Sequence, residues 1–88
     1  MVKKTIKLNN PDGLHARPAA LFVKKANEFQ SELEIKSGDR VVDGKSIIGI
    51  MSLGAFHGET ITLTAMGADE ELMIKQLSDL IGEGFDLL

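Results

Sequence analysis

An imidazole and a guanidinium two residues apart stand first among the groups in this chain that could do chemistry. They are His15 and Arg17, in the stretch Gly13-Leu14-His15-Ala16-Arg17-Pro18-Ala19-Ala20. Pro18 fits the first turn of a helix, where a backbone N–H has no partner inside the helix. A helix that starts beside His15 offers unpaired N–H groups and the positive end of its dipole, which together hold a small anion such as a phosphoryl group. The ring of His15 is expected to fold back over the amides of Ala16 and Arg17, which then cradle the anion. Arg17 adds a planar fork of donors that lysine does not reproduce. Gly13 gives the turn its freedom. On residue chemistry alone the anion site stands and the covalent step stays open, because a lone histidine beside a helix is more often a cap or a solvated side chain.

Ser46 is the second candidate. It precedes Ile47-Ile48-Gly49-Ile50-Met51-Ser52-Leu53 and is placed to accept from the amide of Ile48 or Gly49 as a helix N-cap. His57 invites a two-histidine metal site with His15. It lies between Gly54 and Gly58 with no ligand partner at a metal-binding spacing, which favours a surface loop and no metal. Glu70 and Glu71 suit the positive start of a helix better than an acid/base pair.

The elements that must position these groups follow from periodicity. Alternation predicts strands over 2–8, 32–36, 40–43 and 59–65, with Val2, Ile6 and Leu8 on one face of the first and Ile61, Leu63 and Ala65 inward in the last. Asn9-Asn10-Pro11-Asp12-Gly13 is a turn, and Ser37-Gly38-Asp39 closes a hairpin. From Ala16 the period becomes helical for roughly three turns. Ala16, Ala19, Ala20, Phe22, Val23, Ala26 and Phe29 form its apolar stripe. The segment after Ser46 is strand-like by composition, yet a serine cap and a stop at Gly54 favour a short helix. Asp69 is expected to cap a last helix that buries Met73, Ile74, Leu77, Leu80 and Ile81. The order βαββαβα predicts an α+β fold, an open-faced β-sandwich with a four-stranded antiparallel sheet and three helices on one face.

The chain has 88 residues, enough for one domain spanning 1–88, with 43% hydrophobic and 26% charged residues. It contains no cysteine, so disulfides and thiolate metal sites are excluded. A net charge of −3 argues against direct nucleic-acid binding. No apolar run approaches the roughly 20 residues that span a bilayer. The basic N-terminus lacks the hydrophobic stretch of a signal peptide. A cytoplasmic location and no membrane insertion are the expectations. Arg17, Lys24 and Lys25 gather near the histidine and give an acidic partner a place to dock.

The segment Gly13-Leu14-His15-Ala16-Arg17-Pro18-Ala19 resembles the active-site segment of the HPr family, phosphocarriers of the bacterial sugar phosphotransferase system. The resemblance runs the length of the chain, through Gly44-Lys45-Ser46-Ile47-Ile48-Gly49-Ile50-Met51-Ser52-Leu53-Gly54 and Gly67-Ala68-Asp69-Glu70. It implies that His15 accepts a phosphoryl group at Nδ1 from enzyme I, charged by phosphoenolpyruvate, and donates it to enzyme II A components, with Arg17 steadying the group. It also implies that Lys45-Ser46-Ile47 is the regulatory site of the Gram-positive type. There an HPr kinase/phosphorylase modifies Ser46, and the phosphoserine form binds a catabolite control repressor. Such a protein is a carrier and a substrate of enzymes, needs no cofactor, and is expected to be a monomer. Family positions matching Ile47, Ile48 and Met51 belong to the partner surface, to which Ala16, Ala20, Lys24 and Leu53 or its neighbours are added. Asn27 stands where some relatives carry lysine. Three other readings compete: a regulatory Crh-like paralogue, disfavoured because His15 is retained; a nitrogen-branch NPr-like carrier, disfavoured by Lys45-Ser46-Ile47; and a small enzyme or metal protein using His15 and His57.

Overall fold

Alternation of apolar and polar residues produces four strands in the computed structural model, which describes residues 1–85. They are β1 (Val2–Lys7), β2 (Glu32–Ser37), β3 (Arg40–Asp43) and β4 (Thr60–Met66), and between and after them run α1 (Ala16–Ala26), α2 (Ile47–Leu53) and α3 (Glu70–Gly82). The strands pair in the order β1-β4-β2-β3, every pair antiparallel. The α+β architecture and the βαββαβα order are those the periodicity predicts.

Register follows from which side chains must leave water. Leu33 and Ile35 of β2 stand opposite Ala65 and Leu63 of β4, all four buried, while Glu32, Glu34 and Lys36 face outward. The hairpin between β2 and β3 closes from Ser37 to Arg40 over two residues. Gly38 has φ 63° and Asp39 has no positive φ, the pattern of a type II′ turn. The helices cover one face of the sheet, and their buried side chains join a single cluster with the inward residues of the strands.

α1 buries Pro18, Ala19, Phe22 and Ala26. Full burial of a side chain the size of Phe22 contributes about 1.5–3 kcal/mol. Two members of the expected stripe are misplaced, since Ala16 and Ala20 are exposed. At about 100° per residue they sit about a quarter turn (Ala16) and about a third of a turn (Ala20) from the line through Ala19, Phe22 and Ala26, so their apolar character is free for another surface. α3 buries the five residues expected of it. Asp69 stands at its N-cap position but makes no side-chain cap bond. Its carboxylate instead accepts from the amides of Gln30 and Ser31, both at 2.9 Å, and from the Ser31 hydroxyl at 2.5 Å. Three donors in the turn after α1 outweigh the one or two that its own helix offers. Among the described residues no helix is long and apolar enough to cross a membrane.

Candidate functional site

The chain reaches the start of α1 through a tightly supported turn. Asn10 is buried and its Nδ2 donates to the carbonyl of Gly13 at 2.7 Å. The amides of Gly13 and His15 donate to the carbonyls of Asn10 and Asp12, and the Leu14 amide crosses to the Ala55 carbonyl at 2.9 Å. Gly13 holds φ 57°, and a Cβ there would stand 2.5 Å from the Ala55 oxygen and 2.8 Å from the Phe56 backbone. The close approach of residues 54–59 therefore requires glycine at this point.

His15 is the N-cap of α1, with extended backbone at φ −91° and ψ 173°, and its exposed side chain makes no cap hydrogen bond. Contrary to the expectation from residue chemistry, the ring does not fold back to bond the helix amides. It packs instead beside Phe56, with ring centroids 6.3 Å apart and planes inclined by 35°, within the range where aromatic pairs attract. The outcome for the amides is more permissive. Ala19 is the first to bond back, to the His15 carbonyl at 2.8 Å, and Pro18 has no N–H. The N–H groups of Ala16 and Arg17 keep no backbone acceptor among the described residues. Arg17 is exposed, and its guanidinium has no ion-pair partner among the described residues. Two free amides, a free guanidinium and an exposed imidazole therefore share one helix end.

Ser46 caps α2, and its hydroxyl accepts from the Gly49 amide at 3.1 Å. Gly54 ends that helix in the left-handed conformation at φ 62°. This short helix forms against its β-branched composition because both ends are held. Its faces separate cleanly: Ile50 and Leu53 are buried, while Ile47, Ile48 and Met51 are exposed. Leu53 therefore does not belong to the exposed patch as expected; its place on the helix turns it into the core. Ala16, Ala20 and Lys24 are exposed on α1. The end of α1 is tied to the start of α2 by its C-cap Asn27, whose Nδ2 donates to the carbonyls of Val23 at 2.9 Å and Lys45 at 3.1 Å. Lys45 returns a bond from its ammonium to the Phe29 carbonyl at 2.6 Å.

His57 is exposed, and its Nδ1 lies 3.1 Å from the Asn10 carbonyl. Among the described residues no group of His, Cys, Asp or Glu side chains is arranged to hold a metal. Hydrogen bonds to its carboxylate, first from the Ser31 hydroxyl and then from the Gln30 amide, pull Asp69 down to about 2. Glu70 is also lowered, by the N-terminal ammonium at 2.9 Å and the Gly67 amide. Phe56 is the residue sequence reasoning missed. It is 62% exposed against the histidine, and a large aromatic in a glycine-flanked loop was the available signal.

Residues 2–83 match a family model described as the PTS HPr component phosphorylation site. The phosphocarrier protein HPr of Buchnera aphidicola subsp. Acyrthosiphon pisum is 43% identical over 83 residues, covering 94% of this chain and 98% of that protein. The HPr-like protein Crh of Halalkalibacterium halodurans is 47% identical over 77 residues, covering 88% and 92%. The crystal structure of HPr-C-His from Thermoanaerobacter tengcongensis superposes with a TM-score of 0.96 at 48% identity, covering 100% of this chain and 99% of that one. One chain from the crystal structure of an HPr dimer of that organism superposes with a TM-score of 0.79 at 48% identity, covering 99% of this chain and 100% of that one.

Proposed function

Because this chain belongs to the HPr family of the phosphotransferase system, we propose that His15 is its phosphoryl acceptor, charged by enzyme I and discharged to enzyme II A components. The observation that carries this reading is the pair of unbonded amides of Ala16 and Arg17 beside an exposed imidazole. The Nδ1 lone pair forms the new N–P bond as the bond from phosphorus to the enzyme I donor breaks, with the ring proton on Nε2. Discharge is the same displacement with the acceptor protein as nucleophile. Free amides and the Arg17 guanidinium neutralise charge on the phosphoryl oxygens, and such transfer depends on positioning and neutralisation more than on covalent assistance. Nothing in the cradle is buried, so the phosphoryl group is held moderately and can leave again.

The exposed Ile47, Ile48 and Met51, with Ala16, Ala20 and Lys24, form the docking surface in this reading, and methionine suits repeated contact with different partners. The chain acts as one domain over 1–88, a monomeric carrier in the cytoplasm, without cofactor and without catalysis of its own. Ser46 is the regulatory serine for an HPr kinase/phosphorylase, and its phosphorylated form is the one a catabolite control repressor binds. A phosphate at the head of α2 is electrostatically tolerated there but sets a dianion amid an apolar surface. Incubation with enzyme I and phosphoenolpyruvate, followed by mass spectrometry, should give an acid-labile phosphate. H15A should give none. ATP with the kinase should give an acid-stable phosphate that S46A lacks. A wild-type protein that stays unmodified beside competent enzyme I would overturn the carrier reading.

A further inference from the structure

The Phe56 ring is too exposed to add much to folding, yet a network of polar contacts holds its backbone in place. The Phe56 amide donates to Glu59 Oε2, and the Glu59 amide donates back to the Phe56 carbonyl at 3.1 Å. The other carboxylate oxygen, Oε1, accepts from the Ser37 hydroxyl at 3.3 Å and lies 3.8 Å from the Arg40 guanidinium. Arg40 also donates to the Leu53 carbonyl at the end of α2. One carboxylate therefore ties the tip of the β2–β3 hairpin to the loop over residues 54–59, and the arginine ties both to a helix end. Converging from three elements, these contacts brace the Phe56 backbone.

We propose that Phe56 orients the His15 ring for phosphoryl transfer and that Glu59 is the positioning residue that holds Phe56 against it. The proposal rests on the phosphocarrier reading above. An imidazole at the exposed head of a helix has three staggered wells about its first side-chain bond. A neighbouring ring 6.3 Å away, its plane inclined by 35°, favours the well that packs beside it. That well is the productive one, so freeing the ring among three dilutes it by up to about threefold. The effect falls on turnover, not on partner affinity.

Two substitutions at Phe56 and two at Glu59 separate orientation from docking. F56L removes the aromatic ring but keeps apolar contact area. It should erase the ring-to-ring nuclear Overhauser effect, move the His15 imidazole proton shifts, and lower kcat with enzyme I by up to about threefold at unchanged KM. E59A should weaken the same Overhauser effect and lower kcat in step. E59Q, whose amide oxygen still accepts from Phe56, should retain both. Loss confined to KM in F56L would make Phe56 a partner contact and overturn the proposal. So would unmoved His15 shifts in F56L, or an undiminished Overhauser effect in E59A. If wild type takes up phosphate and F56L matches it, only this proposal falls. If wild type takes up none, the carrier reading falls and takes this one with it.

Discussion

At the start of α1 the N-cap position holds His15, which leaves the helix amides alone, whereas at the start of α2 it holds Ser46, which spends its hydroxyl on the Gly49 amide. Both helix starts carry the same partial positive charge and the same shortage of acceptors. The difference lies in the side chain. A hydroxyl reaches its own helix at little cost, while an imidazole is bulky and finds Phe56 beside it instead. The first site is open to an anion from outside. The second must give up an internal bond to receive one. In the proposed reading this separates a site that is charged and discharged repeatedly from one that is modified to regulate.

The comparison can be broken most severely at Arg17, the one charged donor of the open site. A hydrogen bond to a charged group contributes about 1.5–3 kcal/mol, so R17A should lower the rate of phosphoryl uptake from enzyme I by about tenfold or more. R17K, which keeps charge but loses the fork, should fall between R17A and wild type. Initial rates at matched enzyme I concentration would decide it, and an R17A rate equal to wild type would remove the distinction between the two helix starts.

Ser46 gives the next largest effect and tests the closed site from both sides. S46D keeps a good cap but places charge beside Ile47 and Ile48, and should lower kcat/KM for uptake by on the order of tenfold, chiefly through KM. S46A should slow uptake less but lose the cap, about 1 kcal/mol. That corresponds to a melting temperature lower by about 4–8 °C for a domain of this size. Thermal unfolding of both variants beside their uptake rates shows whether capping and docking are separable.

The smallest effect sharpens the comparison with a third helix start. Asp69, at the N-cap of α3, turns its carboxylate outward to Gln30 and Ser31 and is lowered from 3.8 to about 2. Its folded-state value lies below its unfolded one, so its stabilising contribution is complete above 3.8 and is lost as pH falls from there toward 2. D69N should flatten part of the acid dependence of the urea midpoint between about pH 5 and about pH 2.5, leaving the share that belongs to Glu70. A D69N midpoint curve parallel to wild type would show that these bonds do not survive in solution.

Most of the fold was legible because each element carries its own period. Alternation marked β2 and β4 down to their inward residues, and the five buried residues of α3 followed from helical spacing. Even α2, ambiguous by composition, was decided by a serine at one end and a glycine at the other. Less was legible where an apolar residue could serve either the core or a surface. Ala16 and Ala20 read both as apolar stripe and as docking surface because alanine carries little directional information, and Leu53 or its neighbours read as surface beside Met51 because a short helix shows too few turns to fix its phase.

What the sequence alone determined is therefore local: the turn before α1, a proline that leaves amides unpaired, the histidine and arginine beside them, and the serine that caps α2. Each depends on neighbours a few residues away, which a one-dimensional pattern records. Tertiary structure decided the rest. It set Phe56 against His15 across some forty residues of chain, joined Glu59 to the β2–β3 hairpin, and drew Asp69 from its own helix to a distant turn. Those choices were made by competition among donors and rings that meet only once the chain has folded, and no spacing rule encodes which of them comes nearest.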